Sequence, residues 1–208
     1  MNNFYTAITY EKSMQSSADK FYKHLIYNIL FPNCPKEYIN IQIKRWDFAD
    51  PDGRKMQLDD IDVTLYVDIN RPEFLEPSHY QWNISEKFRT IDYGDMFIEL
   101  YSKYPHTKGW GCNTKADKIF YFTPNNVYII KTEQLKDTVN DILSQFDLDV
   151  LMKSVSINDG IYKDALITFN KIPTKINKKV MWNGVGTCIS WDNLTKLGIK
   201  IEKHSYEL

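Results

Sequence analysis

Cysteine is scarce in this chain. The three present, Cys34, Cys112 and Cys188, are odd in number, far apart and in no Cys-x-x-Cys pair. They suggest neither a disulfide framework nor a zinc knuckle, and a reducing compartment fits best. The four histidines, His24, His79, His106 and His204, form no His-Glu-x-x-His or other paired spacing, which argues against a zinc hydrolase. A Gly-x-x-x-x-Gly-Lys-Ser/Thr loop, a Gly-x-Gly-x-x-Gly turn and a Gly-x-Ser-x-Gly elbow are all missing. P-loop nucleotide hydrolysis and α/β-hydrolase chemistry drop out with them. No run approaches the roughly 18 apolar residues of a membrane helix, and the first residues lack the basic-then-apolar pattern of a secretory signal. A cytoplasmic protein without a membrane partner is the expectation. Excess charge is also wanting. With 26 Lys and Arg against 27 Asp and Glu, the net charge is -1, so a nucleic-acid partner would be held by a local patch rather than by a global field.

What is present is a core. The 208 residues are 43% hydrophobic and 14% aromatic, enough for one domain over 1–208, with its core at about 10–146 and a C-terminal extension over 149–208. Met14, Ala18, Phe21, Leu25 and Ile29 recur every three to four residues, predicting an amphipathic helix from Tyr10 to Phe31 that Pro32 stops. Tyr38 to Ile43 alternates as a strand, and Asp50-Pro51-Asp52-Gly53 predicts a turn. Three alternating runs follow, Asp60–Asp68, Gln81–Thr90 and Asp95–Ser102, expected as an antiparallel meander. Lys118–Thr123 and Val127–Lys131 predict a hairpin across Pro124-Asn125-Asn126. Thr132 is expected to cap a helix whose apolar face is Leu135, Val139, Ile142, Leu143 and Phe146. Thr187–Ser190 reads as a strand before a helix at 191–198, and Lys200–Leu208 as an edge strand or a frayed tail. The fold class is α/β (α+β), a central mixed sheet of about five strands flanked by helices.

Strand alternation turns polar positions into geometry. Asp62 shares a face with Thr64 and Tyr66, Lys87 with Ser85 and Arg89, and Glu99 with Asp95, Phe97 and Tyr101, while Glu86 points away from Lys87. If the faces register, Asp62, Lys87 and Glu99 converge. Carboxylates beside a lysine suit metal-dependent phosphodiester cleavage: hard oxygens hold Mg2+ or Mn2+, and the lysine orients water and offsets phosphate charge. A solvated face paired across strands is the blander account of the same pattern. Arg89, Lys103, Lys108 and Lys115 are candidate phosphate contacts, with simple solubilising charge as the alternative. Trp110, between two glycines, is a candidate stacking platform or a plug over the core.

The pieces QLDDIDVTLYV (Gln57 to Val67), NISEKFR (Asn83 to Arg89), DYGDMFIELYS (Asp92 to Ser102), GWG (Gly109 to Gly111), KADKIFYF (Lys115 to Phe122) and VYIIKTEQL (Val127 to Leu135) occur in an order that resembles phage and bacterial proteins of the restriction-endonuclease-like, PD-(D/E)xK, superfamily. The resemblance implies an α-β-β-β-α-β core and a magnesium-dependent endonuclease acting on DNA in the cytoplasm, that of the host if phage-encoded. It places the catalytic site at Asp62 and Lys87. One position departs: Ser85 stands where a carboxylate or glutamine is expected. Either Glu99 supplies the missing metal ligand, with Glu86 or Glu11 behind it, or the fold has kept its shape without catalysis and binds nucleic acid or a protein partner. A homodimer is compatible with cutting both strands of a duplex.

Overall fold

The computed structural model of the chain describes residues 2–153, 157–176 and 179–206, with side chains from Ser13 onward except at 152, 157, 158 and 176. The architecture is mixed α+β, with six α-helices and two sheets of six and five strands among the described residues. Helix α1 (Asn2–His24) runs on through a π-helical turn (Leu25–Leu30) and buries Met14, Ala18, Phe21, Tyr22, Leu25 and Ile26. Ile29, expected on the same stripe, is 38% exposed, because the wider π turn rotates it off the apolar face.

Strand β1 (Ile39–Arg45) precedes a helix where a turn was expected. Asp50 caps α2 (Pro51–Leu58) by accepting from the Gly53 N–H at 3.2 Å, and Pro51 is preset for the first helical position. Asp-Pro is therefore a helix start here. A Cβ at Gly53 would lie 2.0 Å from the Asp47 carbonyl oxygen, so only glycine lets α2 pack this closely on the loop before it.

Strand β2 (Val63–Ile69) is antiparallel to both β1 and β3 (Ser78–Phe88). The expected meander stops there. Strand β4 (Asp95–Lys103) belongs to the other sheet, and the next neighbour of β3 is β6 (Lys118–Phe122), parallel to it. The reason lies in the side chains. Four of the five β6 residues are buried, on both faces, which requires a central position covered from two sides. A short strand β5 (Thr107–Lys108) and a one-turn helix α3 (Trp110–Asn113) lead from β4 towards β6, and β7 (Asn126–Lys131) completes the hairpin. Helix α4 (Thr132–Gln145) follows, but Thr132 is its first helical residue rather than its cap, and its hydroxyl has no hydrogen-bond partner among the described residues.

After α5 (Leu148–Lys153) come β8 (Ile157–Tyr162), β9 (Ala165–Ile176), β10 (Lys179–Ser190), α6 (Trp191–Lys196) and β11 (Ile201–Ser205). The sheet orders are β1-β2-β3-β6-β7-β11 and β5-β4-β10-β9-β8. Strand β11 forms the edge next to β7, where the sequence suggested an edge strand.

Two apolar clusters follow from alternation along β6 and β7. Phe120, Phe122, Val127 and Ile129 face α1, whereas Ile119, Tyr121, Tyr128 and Ile130 face β4, β9, β10 and α4. The six-stranded sheet is thus covered by α1 on one side and by the second sheet with α4 on the other. Tyr121 ties the sheets directly, its hydroxyl accepting from the Phe97 N–H at 3.1 Å.

Candidate active site

Residues 59–62 form the link between α2 and β2 and carry the first half of the site. Asp60 adopts φ of 56°, a left-handed conformation that aspartate tolerates better than most side chains. The Asp62 N–H then donates to the Ile84 carbonyl at 2.9 Å, continuing the β2–β3 pairing just ahead of the strand. Asp62 therefore precedes β2 instead of lying within it. On β3, Ser85 and Lys87 share a face, and both reach one carboxylate. Ser85 Oγ donates to Asp60 Oδ2 and Lys87 Nζ to Asp60 Oδ1, each at 2.6 Å. The same ammonium lies 3.8 Å from Asp62 Oδ2. Asp62 also accepts from Gln57 Nε2 at 3.1 Å and from the Glu86 N–H at 2.8 Å.

Glu99 arrives from the second sheet. Gly109 and Gly111 bring α3 against β4: a Cβ at Gly109 would lie 2.5 Å from the Glu99 carbonyl oxygen, and one at Gly111 2.3 Å from Ile98 Cγ2. Trp110 is thereby held over the site, with Lys87 Nζ 5.2 Å from its ring centroid, a cation-π arrangement. Its backbone N–H serves the Glu99 carboxylate. Burial raises the Glu99 carboxyl above the usual range, opposed by that N–H and by Lys87, while Asp60 adds to the rise. Burial likewise raises Asp62; Lys87 opposes it and Asp60 reinforces it. Thus Asp60, Asp62 and Glu99 act electrostatically on one lysine.

Glu86 lies on the opposite face of β3. Its carboxylate accepts from Tyr22 Oη at 2.6 Å and from Arg45 at 2.5 and 3.2 Å, and Arg45 also reaches Asp19 Oδ1 at 2.6 Å. This group fastens α1 and β1 to β3, and burial keeps the Glu86 carboxyl raised despite both partners. Arg89 is held by Tyr121 Oη at 2.6 Å and by Asp95 at 3.5 Å. Lys115 is exposed and pairs with Asp59 at 2.8 Å. Lys103 stands four residues beyond Glu99 on β4, beside the Trp182 ring. The side chain of Glu11 lies outside the described residues.

Asp60, Asp62 and Glu99 offer the hard oxygen donors that Mg2+ prefers, so the donor chemistry suits such an ion. Among the described residues, no group of three or more His, Cys, Asp or Glu side chains stands at metal-holding separations. Both Asp60 oxygens are taken by Ser85 and Lys87. Asp60 is the residue that sequence reasoning missed. Its signal was the Asp60-x-Asp62 spacing, obscured because a left-handed residue does not obey strand alternation. Gln57 and the Arg45 cluster had no comparable signal. The sequence matches no protein-family model and no curated protein, and no solved structure matches the fold.

Proposed function

We propose that the chain is a metal-dependent nuclease hydrolysing phosphodiester bonds in DNA, with Asp62 and Glu99 as metal ligands, Asp60 beside them and Lys87 as the residue that positions water. One observation carries this reading: Lys87 Nζ stands 2.6 Å from Asp60 and 3.8 Å from Asp62, within the field of Glu99. A bound Mg2+ or Mn2+ would polarise the phosphate and lower the pKa of a water. The protein's own part is orientation. Asp60 and the Trp110 ring fix the Lys87 ammonium, Gln57 and the Glu86 N–H fix the Asp62 carboxylate, and exposed Lys115 is placed to meet a phosphate. The succession of α1, antiparallel β1, β2 and β3, then parallel β6 supports a restriction-endonuclease-like core.

The test is cleavage of a plasmid and oligonucleotide panel with Mg2+ or Mn2+ by wild type, Asp62→Ala and Lys87→Ala. Metal-dependent cutting that both variants lose, with circular dichroism unchanged, supports the proposal; cutting that survives in either variant removes it.

A second reading is favoured by Ser85. A serine bonded to Asp60 at 2.6 Å, where the resemblance expects a metal-holding side chain, suits a nuclease fold that binds nucleic acid or a protein without cutting. It predicts salt-dependent DNA binding that Mg2+ does not strengthen.

A further inference from the structure

A cleft of about 370 Å³ has Asp62 in its wall and is lined by Gln15, Arg45, Trp46, Asp47, Phe48, Gln57, Asp62, Glu86 and Phe88. Three aromatic rings meet polar groups in it, a combination that holds planar, hydrogen-bonding ligands. Trp46 is fixed from two directions: its indole N–H donates to Thr64 Oγ1 at 2.9 Å, and the Lys44 ammonium sits 3.8 Å from its ring centroid. Phe88 is backed by Phe122 at a centroid distance of 5.1 Å. Phe48, 53% exposed, stands at the rim. Gln57 uses its amide N–H groups on the Trp46 carbonyl and on Asp62, so its oxygen is left as an acceptor.

The charges select among ligands. One guanidinium, Arg45, already bonded to Glu86 and Asp19, faces the carboxylates of Asp47, Asp62 and Glu86 in the lining. Lys44 and Arg54 sit over the rings of Trp46 and Phe48, so the lining is close to balanced in charge, and its carboxylate oxygens can accept the N–H groups of a neutral ring. Carboxylate and amide oxygens are the natural acceptors for an exocyclic amino group. Because Asp62 forms part of its wall and lies 3.8 Å from Lys87 Nζ, a base in the cleft would bring its backbone close to the candidate site.

We propose that this cleft takes one unpaired, amino-bearing nucleobase, so that the chain acts on single-stranded or locally opened DNA in preference to intact duplex. The proposal rests on the nuclease reading and names its substrate. A base paired in a duplex presents only its edges, whereas entry into the cleft requires it to leave the stack.

The experiment measures binding without added metal, and cleavage with Mn2+, for labelled 12-nucleotide dC, dA and dT strands and a mixed-sequence duplex. Wild type is compared with Phe48→Ala, a rim change that leaves the core intact. The expected result is tighter binding of dC and dA than of dT or duplex, with the dC and dA affinities falling about 5- to 100-fold in Phe48→Ala, the range of one lost base–aromatic stack, and duplex binding unchanged. Cleavage with equal use of duplex and single strand, insensitive to Phe48→Ala, overturns the base cleft and leaves the nuclease standing. Phe48-dependent binding of dC and dA without cleavage supports the cleft and removes the nuclease. Absence of binding to every strand together with absence of cleavage in Mn2+ overturns both.

Discussion

At the scale of single residues, one strand of alternating side chains serves two purposes. Ser85 and Lys87 point into the candidate site, whereas Glu86 between them joins Arg45 and Tyr22 beneath α1. The two roles separate by experiment. Glu86→Ala leaves a partly buried guanidinium with a missing partner and should cost about 3–5 kcal/mol of stability, read by chemical denaturation. Lys87→Ala should abolish cleavage at a cost of about 1–3 kcal/mol, since it removes a charged hydrogen bond to Asp60 and the ammonium that offsets the mutual repulsion of Asp60, Asp62 and Glu99. Burial raises the carboxyls of Asp62, Glu86 and Glu99, so the folded chain holds their protons more tightly than the unfolded chain does. Stability from these groups is complete below the unfolded values of about 4 and is lost as pH rises through the folded ones. Denaturation of the metal-free protein should therefore show this contribution declining from acid towards neutral pH. In Asp62→Asn the decline should be shallower. Strand periodicity identified the faces of Lys87 on β3 and Glu99 on β4, whereas Asp62 lies just ahead of β2 and Asp60 leaves the strand pattern altogether.

Elements were easier to read than their partnerships. The runs that became β2, β3, β4, β6 and β7 were all recognisable from period-two alternation, but alternation states which face is apolar and says nothing of which strand lies alongside. That is why β4 was expected beside β3 and is found beside β10. The Asp50–Gly53 segment failed differently: the same residues that favour a turn also start a helix, and only the following turn of α2 distinguishes them. Within α3, the glycines set the approach of Trp110 to Glu99. Gly109→Ala would thrust a methyl group against the Glu99 backbone and Cγ, and overpacking of this kind costs about 1–3 kcal/mol. Cleavage should fall more than stability does, because Trp110 would be displaced from Lys87. Parallel melting curves and single-turnover rates would check it; equal losses in both would contradict the role given to α3.

For the whole molecule, the residues beyond 148 are interleaved with the rest. β10 pairs with β4, and β11 borders β7, while Phe169, Val185, Ile189 and Leu194 fill the same cluster as Met96 and Ile98. A chain truncated after residue 148 should accordingly lack a cooperative melting transition and bind a hydrophobic dye, even though five strands of the larger sheet remain; a sharp transition would show those strands to be self-sufficient. Little of this was legible, since the apolar runs after 149 are short and the partners of β10 and β11 in the rest of the chain lie some 70 to 95 residues earlier in sequence. The split origin of the candidate site has a mechanical consequence. Asp60, Asp62 and Lys87 go with the larger sheet and Glu99 with the smaller, so the cluster is laid out like a vernier between two plates, in which any offset of one plate would change the gap at Lys87 while each keeps its internal pairing.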